Sequence, residues 1–231
     1  ELLDFVALGT VADVVILDNI NRALVHQGLL RIRKGQAHPG IKALIKISGR
    51  NFQTLSSSDL GFALAPRLNA AGRMDDMSLG IQCLLADNET QALHLAEKLD
   101  LLNKERKEVE EKMKHQALAL LQEKLIDDSH LLSGVCLYDK NWHQGVIGIL
   151  ASRLKDRLHR PVIVFASSGD DEIKGSARSI SGIHIRDVLS EIASQYPKML
   201  YKFGGHAMAA GLSLKMHDFP HFDLIFDDMV A

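Results

Sequence analysis

The sequence predicts an α/β protein of two lobes joined by a long helix, the C-terminal lobe being a mixed β-sheet covered by helices. Three observations carry this. Glu89 to Leu125 contains no Gly and no Pro and is dense in Ala, Leu, Glu, Lys and Gln, the composition of one uninterrupted helix. Residues 134–231 alternate short apolar runs with stretches of helical spacing, the pattern of strands covered by helices. Residues 1–86 show helical spacings without that alternation and read as helix-rich with short strands.

The elements follow in order. Leu2 to Leu8 is an apolar segment, read as a strand leading through Gly9-Thr10 to Asp13. Asn19 to Ile32 places Ala23, Leu24, Leu29 and Leu30 at helical spacing. His38-Pro39-Gly40 signals a helix start before Ile41, Leu44, Ile45 and Ile47, and Ser48-Gly49 ends it. Ser56-Ser57-Ser58-Asp59 offers N-caps for a helix from Leu60 that Pro66 should kink or end, leaving Arg67 to Arg73 as a turn. The long helix carries a stripe of Leu93, Ala96, Leu99, Leu102, Val109, Met113, Ala117 and Leu120 amid solvated charges, over about 35 residues. Beyond it, Val135–Tyr138, Val162–Phe165, Ile173–Ile180 and Gly211–Leu214 read as strands, and Gly145–Leu158, His184–Ile192 and Phe219–Val230 as helices.

Composition narrows the function classes. No apolar stretch approaches the roughly 20 residues of a membrane helix. The two cysteines, Cys83 and Cys136, exclude a disulfide scaffold and a cysteine-based zinc site and suit a reducing, cytoplasmic compartment. The net charge of -2 excludes a globally basic nucleic-acid binder and leaves a local basic patch open. The chain opens at Glu1, inside an apolar segment and with no basic n-region, so the expectation is a piece of a longer protein rather than a signal peptide.

Four clusters could carry chemistry. Asp13, amid small and apolar neighbours, reads as an N-cap or turn residue or as a metal ligand. Arg67, Asn69 and Arg73 lie in Pro66–Arg73; the arginines suit phosphate oxygens, or pair with Asp75 and Asp76. Trp142-His143-Gln144-Gly145 opens a helix whose free N–H groups could receive an anion. In the same third cluster Ser176 and Arg178, two apart on a strand, point the same way and could clasp a phosphate, or form the polar face of an edge strand. Gly204-Gly205-His206 permits close backbone approach by a ligand beside an imidazole that is either structural or catalytic. No Walker loop, dinucleotide fingerprint, zinc signature or nucleophile elbow occurs.

ALGTVADVV, LDNINR, APRLNAAGRM, the long charged helix, WHQGVIGILASRL, RPVIVF, KGSARSISGIHI and FGGHAMAAG stand in an order that resembles the RecJ family of bacterial single-strand-specific exonucleases, within the DHH phosphoesterase superfamily. The resemblance covers nearly the whole chain, and departs at Ile16, where a Pro would be expected. It implies residues 1–86 as the C-terminal part of a DHH domain, 87–128 as a connecting helix and 129–231 as a DHHA1 domain. It implies removal of nucleotides from the 5′ end of single-stranded DNA in repair and recombination, with Mn2+ or Mg2+ as cofactor. The partners it implies are single-stranded DNA, a helicase and a single-strand-binding protein, with no membrane. Of the family's metal ligands only Asp13 has a counterpart, since the sequence holds no Asp-His-His and no corresponding Asp-x-Asp. The expectation is that Glu1 falls late in the DHH domain, that Ala231 precedes an oligonucleotide-binding barrel, and that this chain alone is inactive.

By the same resemblance Asp13 is a metal ligand and catalytic, and Arg67, Asn69 and Arg73 hold backbone phosphates. Ser176 and Arg178 bind the DNA end. Gly204, Gly205 and His206 approach the scissile phosphate, His206 stabilising charge on its oxygens, with His143 on the same surface. The resemblance also leaves room for another superfamily phosphodiesterase, acting on short oligonucleotides or cyclic dinucleotides. A non-catalytic nucleic-acid-binding module stays open as well.

Overall fold

A computed structural model describes residues 1–127, 132–200 and 202–231. It divides into two compact units, Glu1–Lys107 and Glu108–Ala231. The division falls inside the long helix. The expected boundary between residues 128 and 129 lies outside the described residues.

The first unit is helical throughout its described length, and the short strands expected there are absent. Its elements are α1 (Leu3–Ala12), α2 (Asn19–Arg33), α3 (Pro39–Ile47), α4 (Ser57–Asp59), a π-helical turn at Leu60–Leu64, α5 (Ala65–Met74), α6 (Ser78–Leu84) and the first part of α7 (Glu89–Asp127). The apolar segment before Asp13 is thus a helix, not a strand. Its buried residues Asp4, Ala7 and Leu8 recur at steps of three and four, and α1 packs on α2 across Gly28. A Cβ at Gly28 would come within 2.2 Å of the Leu3 carbonyl oxygen, so the contact requires glycine. Asp4 is fully buried and accepts the backbone N–H of His38 at 2.7 Å, and its oxygen lies 2.8 Å from His38 Nδ1.

The stretch Arg67–Arg73, read as a turn, lies within α5. Pro66 falls in the first turn of that helix, where a missing N–H costs nothing. The π turn just before it absorbs the change of register, the Ala65 N–H reaching back to Leu60. Leu68, Ala70 and Ala71 are buried, and this packing overrides the turn propensity of Asn69 and Gly72. Ser56 and Asp59 form a capping box at the start of α4.

The second unit holds the end of α7, then β1 (Val135–Asp139), α8 (Ile147–Leu158), β2 (Val162–Gly169), β3 (Glu172–Arg178), α9 (Ile185–Gln195), β4 (Lys202–Gly205), β5 (Ala209–Lys215) and α10 (Phe219–Val230). The five strands lie in the order β1-β2-β3-β5-β4. β1 and β2 are parallel, with α8 as their crossover, and the other pairings are antiparallel. One face carries Ile163, Phe165, Ile173, Ala177, Leu212 and Leu214 into a core shared with Leu189, Ile192, Phe222 and Phe226 of α9 and α10. The other face is covered by α8, over β2 and β3. The start of β1 is tied to α10: Asp227 accepts the N–H of Ser133 at 2.6 Å and of Gly134 at 2.8 Å, and Lys124 near the end of α7 bonds Asp223. No helix among the described residues is long and apolar enough to cross a membrane.

Candidate functional site

In the second unit the sheet register decides which side chains meet. Ser176 pairs across β5 with Gly211, which pairs with Gly204 on β4, so these three share one face and one rung. Arg178 shares that face one rung along, opposite Ala209. α8 reaches this face with its first turn. A Cβ on Gly148 would lie 2.9 Å from the Arg178 guanidinium and 3.0 Å from Ser176 Oγ. The guanidinium in turn donates to Ser176 Oγ at 3.0 Å and to the Ala177 carbonyl at 2.8 Å. A hydroxyl, a guanidinium and the opening turn of a helix with no side-chain cap therefore converge. That is a donor set for an anion, phosphate above all.

Helix α8 begins at Ile147, two residues later than expected, because His143–Val146 closes a turn. The Gly145 N–H donates to His143 Nδ1 at 3.1 Å. A neutral His143 ring therefore carries its proton on Nε2. Gly145 does not open the helix; Gly148 is the glycine that matters, because it allows the close approach to β3. Sequence reasoning passed over it, although its place in the first turn of an expected helix was a usable signal.

His206 is exposed in the link between β4 and β5, its N–H donating to Ala209 at 2.8 Å. The following residues are pinned to the end of β3: the Ser179 N–H donates to the Met208 carbonyl at 3.0 Å. His206 is thereby held at the Arg178 end of the sheet. Gly205 has φ +152, and a Cβ there would meet the Ala209 carbonyl at 2.4 Å, so this glycine serves the hairpin itself. Gly204 faces open space.

In the first unit Asp13 caps the C-terminal end of α1 and lies exposed in a turn; of the structural readings its neighbours allowed it is the turn residue and not the N-cap. Among the described residues no group of three or more His, Cys, Asp or Glu could hold a metal ion. The described residues therefore do not make up a complete metal site. Asn69 and Arg73, one turn apart on α5, are both exposed. Arg67 turns elsewhere. Its guanidinium meets Asp100 of α7 at 2.8 Å and the Ala63 carbonyl at 2.6 Å, with the Arg67 side chain only 16% exposed. Burial opposes the charge on Asp100, yet Lys104 and Arg67 beside it hold its carboxyl below the usual range. The pairing with Asp75 or Asp76 considered for Arg67 is thus replaced by Asp100, more than thirty residues away and invisible to local reading.

Residues 129–230 match the family model of the DHHA1 domain. Over all 231 residues the chain is 57% identical to the single-stranded-DNA-specific exonuclease RecJ of Salmonella typhimurium, of which it spans 40%. Crystal structures of RecJ from Thermus thermophilus, one in complex with Mg2+ and one with Mn2+, superimpose with TM-scores of 0.82 at 31% identity. They cover 99% of this chain, which covers about a third of theirs.

Proposed function

Because the chain carries a DHHA1 domain and is homologous to RecJ along its whole length, we propose that it is the phosphate-gripping part of a single-stranded-DNA exonuclease acting from the 5′ end. The observation that carries this reading is the convergence of Ser176, Arg178 and the first turn of α8 on one face of the sheet. In this reading Ser176, Arg178 and the α8 N–H groups receive the terminal phosphate. Each donor meets charge already present on the substrate, so the contribution is to binding and register.

His206 stabilises charge developing on the scissile phosphate, with Gly204 leaving room for the strand and His143 offering Nε2–H on the same unit. Asn69 and Arg73 hold backbone phosphates from α5. Arg67 is assigned the support of that helix through Asp100 rather than a phosphate of its own. The divalent metal of the family, Mn2+ or Mg2+, supplies activation of the attacking water when bound. Asp13 is the one ligand this chain would contribute, and the remaining ligands are assigned to the rest of the protein.

Arg178→Ala in the full-length protein tests the reading. Wild-type protein should bind 5′-phosphorylated single strands more tightly than 5′-hydroxyl strands, and the variant should lose most of that preference. An unchanged preference would remove Arg178 from the end site.

A further inference from the structure

The net charge left room for a local basic patch, and the first unit holds one. From Asn19 to Ser58 the chain carries seven Lys and Arg and no Asp or Glu, although over its whole length the acids number 29 and the bases 27. This stretch forms α2, α3 and the turn Phe52–Thr54, and these elements, with the start of α7, line a cavity of about 680 Å³. Its walls are apolar, from Ile32, Ala43 and Leu93, and its cations are Lys42, Lys46 and Arg50, the last two exposed. Lys42 and Lys46 stand one turn apart on α3, roughly 6 Å along its axis. Arg50 follows at the helix end, where Gly49 takes φ +70 and the Arg50 N–H returns to the Ile45 carbonyl at 3.2 Å. Phe52 lines the same cavity with 43% of its surface exposed. Its turn is fixed: Asn51 accepts the Gln53 N–H at 2.9 Å, and Arg33 donates to the Leu55 carbonyl at 2.8 Å. Two carboxylates reach the cations, Glu89 at 3.5 Å from Lys42 and Asp59 at 3.3 Å from Arg50. Both cations keep much of their side chain in solvent, so these pairs are worth little and yield to an outside anion. Lys46 is in no ion pair with a described residue.

We infer that this cavity is a seat for internal nucleotides of single-stranded DNA, one base resting against Phe52 and the adjoining phosphates on Lys42, Lys46 and Arg50. A row of cations fits a linear polyanion. An apolar cavity beside an exposed ring adds a place for a flat apolar group. An unpaired base supplies that group, and a duplex, with its bases stacked inside, does not. The seat asks for neither a terminal phosphate nor a metal, so it stands or falls apart from the site on Ser176 and Arg178.

The test uses the full-length protein in EDTA and a 5′-hydroxyl oligothymidylate, which lacks the group that Arg178 is assigned to hold. Lys46→Ala should make the slope of log affinity against log salt shallower by about 0.7, one phosphate contact on a single strand. Phe52→Leu should weaken binding roughly 10-fold at an unchanged slope, the loss of one stacked base, and Phe52→Tyr should bind as wild type does. If Lys46→Ala and Phe52→Leu both bind as wild type does, the seat is wrong, whatever Arg178→Ala does to a phosphorylated strand. A change in salt slope with no effect of Phe52→Leu would leave a bare charge contact and overturn the base seat. Equal losses in Phe52→Leu and Phe52→Tyr would make the ring a packing element and sink the stacking. If oligoglutamate displaces the strand from wild type and is itself weakened as much by Phe52→Leu, the cavity is a peptide seat and the inference fails. If Arg178→Ala leaves the preference for a 5′-phosphate unchanged while Lys46→Ala and Phe52→Leu act as expected, the end site falls and this seat stands.

Discussion

Gly148→Ala separates the phosphate site from the fold that carries it. The added methyl would sit 2.9 Å from the Arg178 guanidinium and 3.0 Å from Ser176 Oγ, where ordinary contact begins at 3.4 Å. Both neighbours are ends of side chains, so they yield by about half an ångström and the backbone stays in place. Alanine is also the better helix former, by up to about 1 kcal/mol in a helix interior and less in a first turn. Thermal unfolding should therefore be unchanged or slightly raised. The displaced guanidinium loses its alignment with Ser176 Oγ and with any anion between them. Hydrogen bonds to charged groups are worth about 1.5–3 kcal/mol, so affinity for a 5′-phosphorylated single strand should fall roughly 10- to 100-fold. A 5′-hydroxyl strand should be bound nearly as before. Wild-type affinity for the phosphorylated strand, in a variant that melts at or above the wild-type temperature, would refute the convergence as the binding site.

Arg67→Ala should destabilise the first unit by about 2 kcal/mol, below the 3–5 kcal/mol of a fully buried pair because Asp100 keeps Lys104 at 2.9 Å. Urea denaturation measures this, and a loss indistinguishable from zero would show that Asp100 does not hold α5. The second prediction concerns acid. The Ser56 N–H and hydroxyl, with Arg50 helping and slight burial opposing, hold the Asp59 carboxyl below its ordinary value of 3.8. Asp59 therefore contributes stability that is complete above that value and lost as pH falls through the lower, folded one. The advantage of wild type over Asp59→Asn in urea should be present at pH 7 and shrink towards pH 3; an advantage independent of pH would contradict the capping box.

Much of the fold was legible because local signals agreed with packing. The Gly- and Pro-free run predicted α7, and the apolar runs predicted β1, β2 and β3 within a few residues. Helix α1 was missed because its inward face carries a carboxylate, Asp4, whose partner His38 lies 34 residues away. Helix α5 was missed because Pro66, Asn69 and Gly72 are turn residues whose local preference yields to the burial of Leu68 and Ala71. Strand β4 has only Lys202, Phe203 and two glycines, too short and too weak in β propensity to be read alone. For the site, Ser176 and Arg178 were visible as a pair because strand geometry fixes their common face. That α8 meets them through Gly148 depends on a crossover and a sheet register, and neither is a property of any short stretch.

The ties from Asp227 to Ser133 and Gly134 span 94 and 93 residues. The earliest strand of the second unit is thus anchored by its last helix. On the ribosome β1 emerges long before the helix that secures it, and the unit cannot close until translation has passed Asp227. Nascent chains of this kind fold late, with β1 exposed in the interval, and a premature stop upstream of Asp223 would leave the sheet without its fastening rather than merely trimmed.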